Sequence, residues 1–175
     1  MRYKYSAFKK GIPENCFLIA EIGINHNGSL NLAKKLIETT HVVIHDADLE
    51  YYPEDIINMV EKVKLSPKSL ILGSRFKGNI KRENIYRRTL FANKIMSLLF
   101  SIIHFYRVSD IATCYKLMPS SFFKSIDLKE KGFAVEVELI AKFLKSNKSI
   151  IEVPIRYSGR SYEDGKKIKA YDGLN

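Results

Sequence analysis

The stretch "HVVIHDADLEYYPED", from His41 to Asp55, decides the fold class of this 175-residue chain. A β-prone apolar run leads into Asp46-Ala47-Asp48, and Pro53 with two acids follows. The apolar run predicts a buried strand. A proline followed by acids is typical of the first turn of a helix. The two aspartates therefore fall where a strand ends and a helix is about to begin, which is where open α/β sheets bind ligands.

Strands and helices are predicted to alternate on both sides of this stretch. Further strands are predicted over "CFLIAEIG", "SLILGSR", "ATCYKLMP" and "SIIEVPIRYSG"; helices are predicted over "LNLAKKLIETT", after Pro53, from Asn84 to His104 and over "FAVEVELIAKFLKSN". This alternation predicts an α/β protein with a mostly parallel, open sheet and flanking helices. Pro154 indicates that the last strand lies near an edge or a bulge.

The composition indicates a basic globular chain. Hydrophobic residues make up 46% of it, and the net charge is +10. Such a charge favours anionic partners, which include nucleic acid, phosphorylated small molecules and anionic membrane surfaces. Two cysteines without metal-ligand spacing indicate a reducing compartment. Because no signal-peptide pattern or membrane-spanning run is seen, we expect a cytoplasmic location.

Asp46 and Asp48 are candidate metal ligands. Residues i and i+2 of an extended segment point the same way, so both carboxylates can approach one point. Oxygen ligands of this kind suit Mg²⁺ or Mn²⁺, which also bind the diphosphate of a nucleotide. The alternative is a surface turn with solvated acids, which is commoner for an isolated Asp-x-Asp. The apolar strand before the pair favours the metal hypothesis.

The segment "DADLEYYPEDI" resembles the Asp-x-Asp segment of family 2 glycosyltransferases of the polyprenyl-phosphate (dolichyl-phosphate) mannosyl- and glucosyltransferase type. The resemblance continues in order through "GSRF", "SDIATCYK", "GFAVEVELIAK" and "EVPIRYSGRSYEDGKKIKAYDG". It extends from His41 to about Gly173. It implies that residues 41–175 form the C-terminal part of a GT-A (Rossmann-like) domain, and that this GT-A fold is incomplete.

The family resemblance also implies an activity, namely transfer of a hexose from a nucleotide diphosphate sugar to a polyprenyl phosphate, within the synthesis of cell-surface polysaccharide. Asp46 and Asp48 would hold the divalent cation and the donor diphosphate, with Glu50 as a weaker third ligand. Arg75 would face the phosphates near the acceptor, and Asp110 would lie close to the reacting centre. The remaining basic candidates, in a segment that closes over the phosphates, are Arg160, Lys166 and Lys167.

Each of these roles has a structural alternative. Arg75 and Arg160 could be surface arginines at turns, and Asp110 could be a helix cap or a turn acid. The chain as a whole could also be a non-catalytic remnant that binds a membrane or a partner protein. Nucleotide binding that depends on Mn²⁺ and on Asp46 would discriminate between a transferase and such a remnant.

The middle of the chain is both basic and apolar. Residues 75–94 contain seven lysines or arginines and one acid, and an apolar stretch begins at Ile95. A basic segment beside an apolar helix is typical of a peripheral membrane surface. An ordinary buried helix with a solvated basic lead-in is the alternative. Nucleic acid is not expected as a partner, because no nucleic-acid-binding motif is found.

The first forty residues do not follow the glycosyltransferase pattern. The segment from Cys16 to about Glu38 resembles the first strand and helix of sialic acid synthases, which condense phosphoenolpyruvate with an amino sugar. The resemblance lies in Glu21 and the turn "NHNG". A (β/α)₈ barrel needs about 250 residues, so one βα unit cannot supply that activity. We therefore predict a gene fusion near Thr40, with a synthase-like fragment over residues 1–40 and much of the nucleoside pocket missing.

Overall fold

The computed structural model describes residues 39–46, 49–80, 82–84, 86–130, 134–146 and 149–159. The elements follow in the order β1 (His41–Ile44), α1 (Asp55–Leu65), β2 (Leu70–Ser74), β3 (Arg82–Glu83), α2 (Arg87–His104), β4 (Lys116–Pro119), α3 (Ser120–Ser125), α4 (Ala134–Lys145), β5 (Ile150–Pro154) and β6 (Tyr157–Ser158). The strand and helix predicted within residues 16–38 lie outside the described residues.

Four of the strands form one mixed sheet in the order β1-β4-β2-β5. Strand β4 runs antiparallel to β1 and β2, whereas β2 and β5 are parallel. The predicted α/β class is confirmed, and β1, β2 and β5 share one direction as predicted. The exception is β4. Its first residue, Lys116, lies opposite Leu72 near the end of β2, so β4 begins at the edge of the sheet where β2 ends.

Successive residues of a strand point to opposite faces of the sheet, and their side chains pack into two hydrophobic cores, one on each face. Val43, Ile71 and Leu117 face helix α1, where they pack with its buried residues Ile56, Met59, Val60 and Val63. On the opposite face, Val42, Leu70, Leu72 and Met118 pack against residues of α2, α3 and α4, namely Phe100, Phe122, Leu139, Ile140 and Phe143. The predicted flanking helices are confirmed, and they lie on both faces of the sheet.

The last predicted strand divides into two elements. Strand β5 ends at Pro154 on an edge of the described sheet, and β6 pairs in parallel with β3 in a separate two-stranded sheet. Proline has no backbone N–H to donate to a ladder, which fits the predicted edge position of Pro154.

In the part of the chain described here, no helix is long and apolar enough to cross a membrane.

Replacing Gly73 with alanine should destabilise the fold by about 1–3 kcal/mol. A Cβ atom at this position would lie 2.8 Å from Cβ of Tyr115 and 3.0 Å from the side chain of Ile155. Urea denaturation measures the loss, with the exposed Lys124→Ala on α3 as the control. A change no larger than that of the control would contradict the close packing at this strand.

Candidate functional site

The candidate site lies at the edge of the sheet where β1, β2 and β5 end. Residues 45–52 follow β1, residues 75–80 follow β2, and residues 105–115 lead into β4 at the same edge. Residues 155–159 follow β5 and return to this edge, because the backbone N–H of Ser158 donates to the carbonyl of Glu50 (2.9 Å). Ligands of open α/β sheets bind beyond such carboxyl ends.

Arg75 and Asp110 form a buried ion pair at this edge. Nε and Nη2 of Arg75 donate to Oδ2 and Oδ1 of Asp110, both at 2.8 Å, and the backbone N–H of Arg75 donates to Oδ2 at 2.9 Å. Arg75 is 8% exposed and Asp110 is fully buried. These two parallel hydrogen bonds fix the orientation of the guanidinium plane relative to the carboxylate plane, as is usual for arginine and carboxylate. The structure thus brings two predicted site residues together, 35 positions apart in sequence.

Aromatic rings surround the guanidinium of Arg75. Its central carbon lies 5.2 Å from the centroid of the Tyr157 ring and 5.6 Å from that of Phe76. Rings at these distances attract a cation through their electron-rich faces. Burial alone would lower the pKa of Arg75, but the bonded carboxylate of Asp110 raises it above the ordinary value. The guanidinium is therefore a permanent charge in this site.

Three tyrosines form a stack beside the ion pair. The ring centroids of Tyr51 and Tyr115 are 4.9 Å apart, and those of Tyr51 and Tyr157 are 5.3 Å apart with an edge-on geometry. Burial raises the pKa of all three phenols, so they stay neutral. The hydroxyl of Tyr51 accepts a bond from the backbone N–H of Cys114 (3.2 Å). No site role was predicted for these three side chains, although Tyr51 lies in the same segment as the two aspartates.

Glu50 and Asp46 differ in their surroundings. Glu50 is buried, and its Oε2 accepts a hydrogen bond from the hydroxyl of Tyr157 at 2.5 Å. Asp46 is exposed at the end of β1, and Asp48 lies outside the described residues. The exposed Asp46 carboxylate is the kind of oxygen donor that a hard divalent cation prefers. Among the residues that the structure describes, no group of three or more His, Cys, Asp or Glu could hold a metal. The predicted ligand set of Asp46, Asp48 and Glu50 stays a prediction.

A second ion pair joins the buried Lys116 to the partly exposed Glu136. The ammonium of Lys116 is fully buried and donates to the carbonyl of Thr113 and to Oε2 of Glu136 on α4. The thiol of Cys114 is affected both by this ion pair and by Asp46. Its pKa is raised to about 12, mainly by burial and then by Glu136, and a backbone hydrogen bond from Asp46 opposes the rise. No site role was predicted for Lys116 or Glu136, although a lysine inside an apolar strand was a signal.

A polar network holds the residue next to Asp110. The backbone N–H and the hydroxyl of Ser109 both donate to Oε1 of Glu152 at 2.7 Å. The hydroxyls of Ser109 and Ser74 lie 2.7 Å apart, which links this segment to the end of β2. The predicted residues Arg160, Lys166 and Lys167 lie outside the described part of the chain, which ends at Gly159. Their roles stay predictions.

The sequence and fold together define a class. A sequence model of glycosyl transferase family 2 matches residues 10–127, which is more than half of the chain. The chain therefore belongs to glycosyl transferase family 2, as the resemblance predicted. The match begins inside the segment interpreted as synthase-like, and the predicted division near residue 40 stays a prediction.

Individual proteins resemble the chain over much of its length. Dolichol-phosphate mannosyltransferase of Pyrococcus furiosus is 28% identical over 135 residues, which cover 74% of this chain. The aligned part spans 38% of that relative. Glucosyl-3-phosphoglycerate synthase of Mycobacterium tuberculosis, solved with phosphoglyceric acid, superposes with a TM-score of 0.52 and 13% identity, over 77% of this chain and 48% of that one.

A second structure of the same synthase contains Mn²⁺, uridine-diphosphate-glucose and glycerol 3-phosphate. It superposes with a TM-score of 0.50 and 13% identity, over 77% of this chain and 47% of that one. These likenesses show the fold: the described part of the chain forms part of a GT-A architecture with a mixed sheet and flanking helices. The chain spans about half the length of these solved structures or less.

Proposed function

We propose that this chain takes part in transfer of a hexose from a nucleotide diphosphate sugar to a polyprenyl phosphate. The observation that carries the proposal is the arrangement at one sheet edge: an exposed aspartate, Asp46, and a buried Arg75–Asp110 pair in a family 2 glycosyltransferase fold. The likeness to a dolichol-phosphate mannosyltransferase supports the acceptor class. The likeness to a synthase solved with Mn²⁺ and uridine-diphosphate-glucose supports the donor class.

The donor end of the site would be formed by the Asp-x-Asp segment. Asp46 with Asp48 would hold Mg²⁺ or Mn²⁺ and through it the donor diphosphate. A bound cation supplies neutralisation of the charge that the leaving diphosphate gains. Glu50 is less suited to direct coordination than Asp46, since its Oε2 already accepts from Tyr157. We infer that Glu50 fixes the turn after the segment.

At the acceptor end of the site, the phosphate nucleophile must be bound and oriented, but it does not need to be deprotonated. A phosphate monoester has its second pKa near 6, so the acceptor is already largely an anion at neutral pH. One of its oxygens forms a bond to the anomeric carbon as the bond from that carbon to the diphosphate oxygen breaks. The nucleotide diphosphate leaves with the electron pair. A strong general base is therefore not required.

Asp110 fits the role of a positioning residue. It takes one N–H from Nε and one from Nη2 of Arg75, and a guanidinium carries five N–H donors. Among the described residues, the other three donors have no recorded acceptor, and we propose that they bind phosphate oxygens in directions fixed by the bond to Asp110. Arg160, Lys166 and Lys167 would add positive charge over the phosphates, as the family resemblance implies.

We expect the chain to bind GDP or UDP in a manner that depends on Mn²⁺. Replacing Asp46 and Asp48 with alanine should weaken this binding about tenfold or more, because the cation loses both proposed carboxylate ligands. Titration calorimetry with and without Mn²⁺ measures the effect. The matched control removes two exposed acids elsewhere, by Glu61→Ala with Asp127→Ala, and should bind as the wild type does.

Two results would count against the proposal. One is a folded wild-type chain that binds neither nucleotide in the presence of Mn²⁺. The other is metal-dependent binding that survives both aspartate substitutions. The first result would favour the non-catalytic alternative, in which the chain binds a membrane or a partner protein. The second would mean that the nucleotide is held without the Asp-x-Asp segment. A peripheral position on the cytoplasmic face of a membrane is part of the same proposal, since the acceptor is a lipid.

A further inference from the structure

Helix α2 has its polar side towards the protein and its apolar side towards solvent. Its buried residues include Asn93 and Ser97, with Phe100 as the buried apolar contact. Six apolar residues, here called the outer face, are between 40 and 70% exposed: Phe91, Ile95, Leu98, Leu99, Ile102 and Ile103. Residues spaced by three and four along a helix share one face, so these six side chains form a continuous stripe.

The end of the helix extends the same apolar surface. Phe105, the residue after α2, is 97% exposed and has a φ of +50°. A bulky side chain rarely adopts this left-handed backbone conformation. A contiguous apolar patch of this kind on a protein surface marks an interaction site.

The charged residues of α2 and of the segments that flank it in sequence are all basic. From Asn84 to Ser109 the sequence has no acid. Arg87, Arg88, Lys94 and Arg107 are exposed on or beside the helix. Apolar side chains that enter a lipid layer beside basic side chains that meet anionic headgroups are the two features of an interfacial helix. A second copy of the chain fits less well, because a symmetric contact would place these like charges opposite one another.

The inner side of α2 is tied to the segment that carries Asp110. The hydroxyl of Ser97 accepts a hydrogen bond from the backbone N–H of Ile111 at 3.0 Å. The hydroxyl of Ser101 accepts one from the backbone N–H of Val108, also at 3.0 Å. These two bonds lie on either side of Asp110 in sequence, so the helix and the segment are held as one unit.

We propose that the outer face of α2 docks on an anionic lipid surface and thereby sets the position of the Arg75–Asp110 pair relative to that surface. The docking itself rests on the exposure and charge of α2. Its use, to bring the site to a lipid-borne phosphate, rests on the proposed function. The two serine hydroxyls transmit the orientation of the docked helix to Asp110.

Vesicle flotation of the whole chain tests the apolar part of the proposal. We expect binding to vesicles of phosphatidylcholine with phosphatidylglycerol, and weaker binding to phosphatidylcholine alone. Leu98→Ser with Ile102→Ser should lower the partition coefficient about tenfold or more, because two inserted side chains lose their apolar burial. The control is Leu49→Ser with Leu65→Ser, which alters two exposed leucines that do not belong to α2.

A second pair of variants tests the charge. Arg87→Gln with Arg88→Gln should weaken binding to the anionic vesicles about tenfold, and added salt should remove the difference. Lys124→Gln with Lys145→Gln removes the same charge from α3 and α4 and should bind as the wild type does. Circular dichroism and the thermal midpoint establish that each variant is folded.

The outcomes separate the possible occupants of the outer face. A folded wild type that does not float, or serine variants that float equally well, would overturn the proposal. A dimer in solution that Leu98→Ser with Ile102→Ser converts to a monomer would overturn it in favour of a second copy. Calorimetry with GDP, UDP and Mn²⁺ on the same samples keeps the two proposals apart. Vesicle binding without nucleotide binding retains the docking surface and rejects the proposed transferase.

Discussion

Replacing Asp110 with alanine is expected to lower the free energy of unfolding by about 3–5 kcal/mol. The substitution leaves the Arg75 guanidinium charged and almost fully buried without its carboxylate. It also removes the acceptor of the backbone N–H of Arg75. Urea denaturation at neutral pH measures the change. The same variant should bind phosphate-containing ligands less well, because Arg75 is no longer held in one orientation.

The double variant Arg75→Met with Asp110→Ala is the control for this interpretation. It removes both charges, so it should recover part of the stability that Asp110→Ala loses. If Asp110→Ala costs less than about 1 kcal/mol, the pair does not have the burial that the structure gives it. If the double variant is the less stable of the two, the loss comes from packing and not from the unpaired charge.

Replacing Glu136 with alanine is expected to cost about 2–3 kcal/mol. Lys116 is fully buried at the start of the inner strand β4, and Glu136 is the acidic partner of its ammonium. Removing the carboxylate leaves a buried cation with the carbonyl of Thr113 as its remaining described acceptor. Urea denaturation again gives the change in unfolding free energy.

An exposed ion pair provides the contrast for this second experiment. Glu61 pairs with Lys64 on the surface of α1, at 2.6 Å, and both side chains are largely exposed. Glu61→Ala should therefore cost no more than about 0.5 kcal/mol. Adding Lys116→Met to Glu136→Ala should restore stability, since the unpaired charge is then gone. An equal cost for Glu61→Ala and Glu136→Ala would contradict the distinction between the two pairs.

Local sequence patterns predicted the elements of this fold well because each pattern depends on near neighbours. The run before Asp46 is a strand, the proline and acids after it precede a helix, and "SLILGSR" contains β2. The direction of β4 was not predictable from "ATCYKLMP", because alternation of buried residues reads the same in both directions. That direction is set by the loop from 105 to 115, which returns the chain to the carboxyl edge.

The sequence predicted individual residues of the candidate site, but it did not predict which of them form ion pairs with one another. Arg75 and Asp110 were each found from a family segment, but the resemblance gave no reason for one to be the partner of the other. Lys116 and Glu136 are 20 positions apart and meet only because α4 packs across the sheet. The orientation of α2 was also beyond the sequence, since helical spacing shows that one face is apolar without showing which face is buried.

The inverted arrangement of α2 has a consequence for how its residues can be replaced. The lipid layer proposed to cover the outer face has no fixed shape, so leucine, isoleucine, phenylalanine and methionine should be interchangeable there. Ser97 and Ser101 are different, because each hydroxyl must accept from one particular backbone N–H. Even threonine would bring an extra methyl group into that packed side. We therefore expect substitutions to be tolerated at the hydrophobic residues of this helix and not at its small polar residues. An ordinary helix at a protein surface shows the reverse, since its hydrophobic residues are buried and its polar residues are exposed.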